Sequence, residues 1–286
     1  MESLLQTLGT PPLWLALLLS AGFAGLALRL RWLSTSGAIA TAVVGFVVYG
    51  LGNATFLVPL MAFFVSSSVL SRVGKERKQL LTDSHDAKGS QRDAGQVLAN
   101  GGAAVICVLV FYFATHPYAK LPLLKLRTLL MLYLTALATV NADTWATEIG
   151  KLAKKPPRLL TTLRPVTPGV SGAISSMGTL GALLGALFIS LMALPFWRLN
   201  GAEILVVTWA GFVGSIFDSL LGATLQVQFR DTQTGALTER KRLAGRETTQ
   251  VRGIRWVNND TVNFVASLVG VVVAWLILYY GIYRYY

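Results

Sequence analysis

Charge is scarce in this sequence. Asp, Glu, Lys and Arg make up only 13% of its 286 residues, whereas 53% are hydrophobic, and the mean hydropathy is +0.57. Because soluble domains carry about 25% charged residues, this composition excludes an ordinary soluble domain. It indicates a protein that lies in a membrane.

Cysteine and histidine are scarcer still. The single cysteine, Cys107, lies inside an apolar run, which excludes an intramolecular disulfide and a cysteine metal cluster. The two histidines, His85 and His116, fall on opposite predicted sides of the membrane. They offer no triad with a serine, so hydrolysis through an activated serine is not expected.

Long apolar runs are what the chain does contain. A helix needs about 20 residues to cross the hydrocarbon core, within a range of roughly 17–25, and the second and fifth runs are short for this. We predict an all-α integral membrane protein with about eight transmembrane helices, forming a single polytopic membrane domain over residues 1–286. The eight segments are 13–30, 37–52, 55–71, 94–115, 128–141, 170–194, 203–225 and 261–282.

Lys and Arg are distributed unevenly between the two sides of this arrangement. Twenty of the 25 fall after segments 1, 3, 5 and 7. The positive-inside rule places that side in the cytoplasm, with both termini outside, so residues 72–93, 142–169 and 226–260 are predicted cytoplasmic loops. The net charge of +12 fits contact with anionic membrane lipids. Nucleic acid is not an expected partner, because the cations are divided among short loops.

The two halves of the chain share short patterns in the same order. SGAI begins at Ser36 and again at Ser171, and Gln96-x-x-x-Asn100 matches Asn259-x-x-x-Asn263. These matches predict two parallel four-helix repeats, 13–141 and 128–282, whose halves meet near 120–130. Chance matching in a chain rich in Gly, Ser and Ala is the alternative.

Polar residues collect at the predicted cytoplasmic ends of the helices. Gln96 and Asn100 share one helical face because they are four apart. Asn141, Thr144 and Glu148 share another, whereas Asp143 falls about 160° from Asn141 on a regular helix. Either the backbone is irregular there, or the two acids serve different partners. The four polar stretches are DAKGSQRDAGQVLANGG (86–102), NADTWATEIG (141–150), GSIFDSLLGATLQVQ (214–228) and WVNNDTVNF (256–264).

Asp218 is the most informative acid, because it lies well inside segment 7. Charged residues within spans usually face a polar cavity or a partner, so it either pairs with an Arg for structural reasons or belongs to a site. Carboxylates and amide oxygens suit Mg²⁺, Lys and Arg suit phosphate, and a turn such as TPGVSG at a helix N-terminus presents N–H groups to anions. Together these parts favour phosphoryl transfer.

Several motifs in fixed order resemble the transmembrane protein 19 family. They are RDAGQVLANGG, NADTWATEIG, TPGVSGAIS, GSIFDSLLGATLQ and VNNDTVNF, and the resemblance spans roughly residues 86–270. That family includes the phytyl-phosphate kinase of tocopherol (vitamin E) synthesis. The resemblance therefore implies a membrane kinase that converts an isoprenoid monophosphate into the diphosphate, with CTP or another nucleoside triphosphate as donor and Mg²⁺ as cofactor.

The motifs also mark candidate site residues. Three acids, Asp143, Glu148 and Asp218, are expected to be catalytic and to bind Mg²⁺. The Val-Ser pair in TPGVSGAIS and Asp260 depart from the family pattern. We leave Asp260 out of the site for this reason. The residues expected to bind substrate or phosphate are Lys88, Arg92, Gln96, Asn100, Asn141, Thr144, Gly169, Ser171, Gly172, Gly222, Gln226, Asn258, Asn259 and Asn263.

Two other functions remain open at this point. A cytidylyltransferase that forms a CDP-lipid would share the donor, the metal and the membrane face. A secondary transporter would also contain buried acids and repeats, but its polar residues should lie near the midplane. The stretch LTERKRLAGRETTQ (237–250) is predicted to be a solvated loop with little regular structure. The sequence leaves the oligomeric state and the prenyl chain length open.

Overall fold

The computed structural model describes residues 9–74, 91–115, 126–235, 237–243 and 246–282. These ranges are mostly helical and contain eight helices of at least 17 residues, with bounds close to the predicted segments. They are α1 (Leu13–Arg29), α2 (Thr35–Gly52), α3 (Ala54–Leu70), α4 (Ala94–Thr115), α5 (Leu126–Gly150), α6 (Ser176–Met192), α8 (Gly201–Thr224) and α9 (Asn259–Ile277), with a four-residue α7 (Leu194–Trp197) between α6 and α8.

Four of the helices are long and apolar enough to cross a membrane: α2, α4, α8 and α9 with the π-helical turn that continues it. Helices α1, α3 and α6 are apolar but have 17 residues each. Large apolar side chains such as Trp14, Ile39, Leu205 and Trp209 are exposed on the outer faces. Soluble proteins rarely expose such surfaces, so the bundle is suited to a lipid environment. That eight helices cross the membrane stays a prediction.

Helix α5 forms the centre of the bundle. Every residue from Thr128 to Ala142 is buried, and the helix packs against α3, α4, α6, α8 and α9. It continues without interruption to Gly150, whereas the sequence predicted an end near residue 141. Asp143 and Glu148 therefore lie on the last turns of a helix, and the predicted loop 142–169 begins only after Gly150.

Two small sheets lie on the side of the bundle where α5 and α8 end. Strands β1 (Arg158–Leu159) and β2 (Ala173–Ile174) pair antiparallel. A second, four-stranded sheet has the order β4-β3-β6-β5. Its strands are β3 (Gln228–Asp231), β4 (Leu237–Thr238), β5 (Arg242–Leu243) and β6 (Arg246–Arg252).

The four-stranded sheet corrects one prediction. Residues 237–250 were expected to have little regular structure, yet they contribute to β4, β5 and β6. Their many charges mask a strand pattern, because both faces of this short sheet are largely polar. Arg252, the last residue of β6, donates from its guanidinium to the carbonyls of Ala223 (2.7 Å) and Gly222 (2.9 Å). It satisfies carbonyls left free at the C-terminus of α8, which ties the sheet to the bundle.

The predicted repeats differ in their packing. Central α5 contacts five helices, whereas α1, its predicted counterpart, contacts chiefly α2. The two SGAI stretches also differ, because Gly37 lies within α2, whereas Gly172 precedes α6 with a φ of +79°. However, α4 and α9 do pack against each other, as a two-fold axis between them would require. The internal repeat stays a prediction.

Candidate active site

Three of the predicted site residues meet where α4, α8 and α9 approach one another. The side-chain amides of Asn100 and Asn263 are 3.0 Å apart. When the Asn263 amide is turned so that its nitrogen faces Asp218, that nitrogen donates to Oδ2 at 2.9 Å. Asn263 therefore links an amide of α4 to the carboxylate of α8.

Further acids lie around Asp218. Asp143 on α5 and Glu239, which follows β4, are both close enough to interact with it electrostatically. Asp143 also interacts with Lys151 and Glu148. Like charges this close repel one another, and a cation placed among them would relieve that repulsion. Acids from three separate parts of the chain thus influence one another electrostatically.

Glu239 is a candidate residue that sequence reasoning missed. Ser171 donates its hydroxyl to Glu239 Oε1, and Gln226 donates from Nε2 to the same oxygen at 2.7 Å. Gln226 itself is only 2% exposed. Two predicted residues thus converge on one unpredicted acid. Its only sequence signal was an acid among cations in a polar stretch, and this does not distinguish it from a solvated glutamate.

Arg92 supplies a cation on the other side of the site. Its backbone is fixed against the start of α2, where Ser34 N donates to Arg92 O at 3.0 Å and Arg92 N donates to Trp32 O at 3.1 Å. Its guanidinium lies 5.6 Å and 5.5 Å from the ring centres of Phe63 and Phe64. Burial lowers the pKa of Arg92 to about 10, against the opposing effect of Glu148. The side chain therefore carries its positive charge at neutral pH.

The electrostatic partners of Glu148 and Asp143 overlap only in part. Since α5 is an unbroken helix, positions 143 and 148 lie about 140° apart around its axis. Glu148 interacts electrostatically with Arg92, while Asp143 interacts with Asp218. The alternative of an irregular backbone between the two acids is excluded, because the helix is continuous there.

Gln96 helps to begin α4. Its backbone N–H donates to Asp93 Oδ1 at 2.9 Å, and its side-chain Oε1 accepts from Asp93 N at 3.2 Å. This reciprocal pair is a capping box, so Gln96 has a structural role that the sequence analysis did not assign. Its side chain nevertheless lines a cavity together with Arg92 and Asn100.

That cavity lies among α1, α2, α3 and α4 and has a volume of about 260 Å³. Its walls are mostly apolar, with Ser20 and Thr41 as polar exceptions, and its polar edge is formed by Arg92, Gln96 and Asn100. Asn100 belongs both to this edge and to the cluster with Asn263 and Asp218. The cavity and the acid cluster are thus neighbours.

Three other predicted residues have mainly structural contacts. Asn141 is fully buried, accepts from Ser66 at 3.2 Å and donates to the carbonyl of Gly185 at 2.7 Å. Thr144 donates its hydroxyl to Val140 O within its own helix. Asn258 caps the N-terminus of α9 by accepting from Thr261 N at 2.9 Å.

The predicted glycines permit close backbone approach. Gly169 and Gly172 have φ values of +94° and +79°, which favour glycine. A Cβ on Gly172 would lie 2.3 Å from Ala223 N, and one on Gly222 would lie 2.9 Å from Gly172 N. The TPGVSG stretch therefore packs against the end of α8. It is not the N-terminus of α6 as predicted, since Ser175 caps that helix by accepting from Gly178 N.

The remaining predicted residues contribute less. Asn259 begins α9 one turn before Asn263 and is partly buried. Lys88 lies outside the described residues. Among the residues that the structure describes, no three His, Cys, Asp or Glu side chains form a group that could hold a metal ion.

Mg²⁺ does not require such a group. It usually keeps several waters and binds one or two carboxylates together with substrate phosphates. The carboxylates of Asp143 and Asp218, which interact with each other electrostatically, fit this requirement for an ion that arrives with a nucleotide. Glu148 interacts electrostatically with Arg92 as well as with Asp143, and its expected role as a metal ligand stays a prediction.

Comparison with known proteins shows related chains in plants and archaea. The chain is 31% identical to "Protein PGR" of Arabidopsis thaliana over 227 residues, which is 73% of this chain and 76% of that protein. It is 31% identical to an uncharacterized membrane protein of Methanocaldococcus jannaschii over 250 residues, 86% of each chain. It is 26% identical to "Protein VTE6, chloroplastic" of Arabidopsis thaliana over 251 residues, 87% of this chain and 66% of that protein.

No solved structure matches the chain. Residues 18–271 match the family described as "Integral membrane protein DUF92", and that match covers most of the chain. The protein is therefore an integral membrane protein and belongs to this family, the transmembrane protein 19 type that its motifs indicated.

Proposed function

We propose that the protein is a membrane-embedded prenyl-phosphate kinase, which transfers a phosphoryl group from CTP or another nucleoside triphosphate to an isoprenoid monophosphate. The observation that carries this proposal is the cluster at Asp218. There a carboxylate lies beside the Asn263 amide and close to Asp143 and Glu239, next to an apolar cavity that has Arg92 at its edge. Membership of the family, and the similarity to Protein VTE6, are consistent with it.

The chemistry needs little from the protein besides positioning and charge neutralisation. An oxygen of the acceptor phosphate forms a bond to the terminal phosphorus of the donor, and the bond from that phosphorus to the nucleoside diphosphate breaks. Asp143 and Asp218 would hold Mg²⁺, which neutralises charge on the triphosphate when bound. Arg92 would neutralise charge on the acceptor phosphate.

The depth of the cluster favours an enzyme over a transporter. Asn100 and Asn263 lie six and four residues from the first residues of α4 and α9, and Asp218 lies six residues from the last residue of α8. At 1.5 Å per residue these positions are within about 9 Å of the helix ends. A transporter site is expected near the membrane midplane.

Orientation and reaction partners are part of the same proposal. The side of the cluster carries most of the Lys and Arg residues, so we propose that the site opens toward the cytoplasm and both termini lie outside. Besides the isoprenoid monophosphate and the nucleotide, the proposed partners are membrane lipids.

Labelled CTP tests the proposal against both alternatives. Purified protein incubated with CTP, Mg²⁺ and a panel of isoprenoid monophosphates should yield CDP and the isoprenoid diphosphate. Release of pyrophosphate with formation of a CDP-lipid would show a cytidylyltransferase instead. If neither product forms, and reconstituted vesicles accumulate substrate, the protein is a transporter.

A further inference from the structure

The cavity among α1, α2, α3 and α4 has a chemistry of its own. Its walls include Phe23, Leu57, Leu60 and Met61, and its polar edge is formed by Arg92 and Asn100. An apolar chamber with a cation and an amide at one edge is complementary to an amphiphile with an anionic head. The cavity lies within the part of the bundle formed by apolar helices.

Two observations narrow the class of ligand that this cavity can bind. With about 260 Å³, the cavity is smaller than the roughly 300–1,000 Å³ of pockets that enclose a whole drug-sized ligand. It therefore has room for part of one hydrocarbon chain but not for both chains of a membrane phospholipid. In addition, Asn100 forms both the cavity edge and the link through Asn263 to Asp218.

We infer that this cavity binds the first portion of the hydrocarbon chain of a monophosphorylated isoprenoid lipid, with its phosphate between Arg92 and Asn100. This inference rests on the proposed kinase function for the identity of the head group. The aromatic rings of Phe63 and Phe64 support the Arg92 guanidinium from one side. The same guanidinium also interacts electrostatically with Glu148.

The arrangement also assigns the two substrates to different helices. The lipid phosphate lies on the α4 side, and the nucleotide lies on the α5 and α8 side, near Asp143 and Asp218. Asn100 and Asn263 lie between them, where the transferred group passes. Four helices of the N-terminal half thus select the acceptor, while the acids come from the C-terminal half.

Binding of geranylgeranyl monophosphate to the detergent-purified full chain, without nucleotide, tests this inference. Leu60→Trp fills the cavity and should weaken binding at least tenfold. Val65→Trp, on the exposed side of the same helix, should leave the affinity and the melting temperature as in the wild type. If Leu60→Trp does not fold, Gly101→Val is the second variant, because a Cβ there meets Val44 at an ordinary 3.4 Å.

A geranylgeranyl monophosphate with a diazirine near its phosphate end locates the chain directly. Crosslinks to peptides of α1 and α3 support the inference, and crosslinks confined to α6 or α9 overturn it. Equal displacement by an excess of phosphatidylglycerol also overturns it, because the cavity would then be a general lipid site. If the lipid binds and crosslinks as expected but no CDP forms from CTP, the cavity assignment stands and the kinase proposal fails.

Discussion

Asn100 and Asn263 contact each other at 3.0 Å although 163 positions separate them in the chain. Each lies near the first turns of its own helix, and the two helices run side by side in the same direction from the same end of the bundle. Asn263 extends the contact to Asp218 at 2.9 Å. Residues from both halves of the protein thus form one polar centre, and this centre is the natural target for mutation.

Replacement of the carboxylate at that centre should abolish most activity without unfolding the protein. For Asp218→Asn we expect turnover to fall at least about a hundredfold, because a lost metal contact removes several kcal/mol of transition-state stabilisation, and about 1.4 kcal/mol is tenfold in rate. Higher Mg²⁺ or Mn²⁺ should restore part of the loss. Turnover and melting temperature of the purified variant measure both effects.

Glu203 provides a matched control in the same helix. It lies near the opposite end of α8, where it pairs with Arg127 and accepts from Asn200 N at 2.8 Å. Glu203→Gln should lower the melting temperature, because a partly buried Arg loses its charged partner, while turnover per folded molecule is retained. If Asp218→Asn behaves in this way instead, Asp218 is a structural acid and the site has been misplaced.

Glu239 should matter to activity even though sequence reasoning missed it. Glu239→Gln removes a charge near Asp218 that Ser171 and Gln226 position by hydrogen bonds. We expect at least about a tenfold loss of turnover, or 1.4 kcal/mol, together with a higher Mg²⁺ requirement. Glu247 lies on the same sheet in an exposed pair with Arg242. Glu247→Gln should therefore change neither the turnover nor the Mg²⁺ requirement. Equal activity of the two variants would exclude Glu239 from the site.

Replacement of Arg92 should weaken the binding of the acceptor, the isoprenoid monophosphate, more than the binding of the donor nucleotide. Arg92→Met keeps apolar contact with Phe63 and Phe64 but removes the charge, so KM for the isoprenoid monophosphate should rise at least about tenfold (1.4 kcal/mol) with a smaller change in KM for CTP. Because the pKa of Arg92 is about 10, its charge contributes no pH dependence between pH 6.5 and 8.5. An unchanged acceptor KM would contradict this assignment. Arg242→Met, in an exposed pair, is the control.

Gly172 should tolerate no side chain for two reasons, its positive φ and its close contact with α8. Gly235 has the first feature without the second, so it serves as the control. Both have positive φ, +79° and +68°, and a non-glycine residue there costs roughly 1–2 kcal/mol. Only Gly172 also faces a backbone atom, since a Cβ would lie 2.3 Å from Ala223 N, whereas Gly235 has open space. Gly172→Ala should therefore lower the melting temperature clearly more than Gly235→Ala. Equal shifts would mean that the contact with α8 is not rigid.

Cysteine labelling tests the predicted orientation. In a Cys107→Ser background, Thr234→Cys should react with an impermeant reagent only from the cytoplasmic side, and Thr115→Cys only from outside. Both positions are exposed. Labelling of both from one side would refute the eight-span topology.

Much of the helical framework was predictable because apolar runs specify helices directly. The boundaries of α4 were predicted to the residue. The polar stretches that contain Asn100, Asp218 and Asn263 were expected at one end of the bundle, and these three residues do meet there. Helix α5 was harder to delimit. Its last turns carry Asn141, Asp143 and Glu148, and polar residues of this kind are as typical of a loop as of a helix that ends among polar neighbours.

The unpredicted features depend on contacts between distant segments. Glu239 belongs to the site because a small sheet folds back and Arg252 fixes it to the end of α8. Gly172 and Gly222 are close because two backbones touch. Hydropathy and spacing describe one helix at a time, so neither can indicate which loop residue reaches a site or which glycine faces another chain segment.

The buried run of α5 has a consequence for biogenesis. Since every residue from Thr128 to Ala142 contacts protein, this helix has no face adapted to lipid, and its neighbours α6, α8 and α9 are synthesised after it. Helix association in membranes relies on packing and hydrogen bonds between helices. During synthesis, α5 must therefore remain in contact with α3, α4 or the insertion machinery until the last helix is made. A ribosome stalled before α9 would hold a nascent chain whose central helix is still incompletely enclosed.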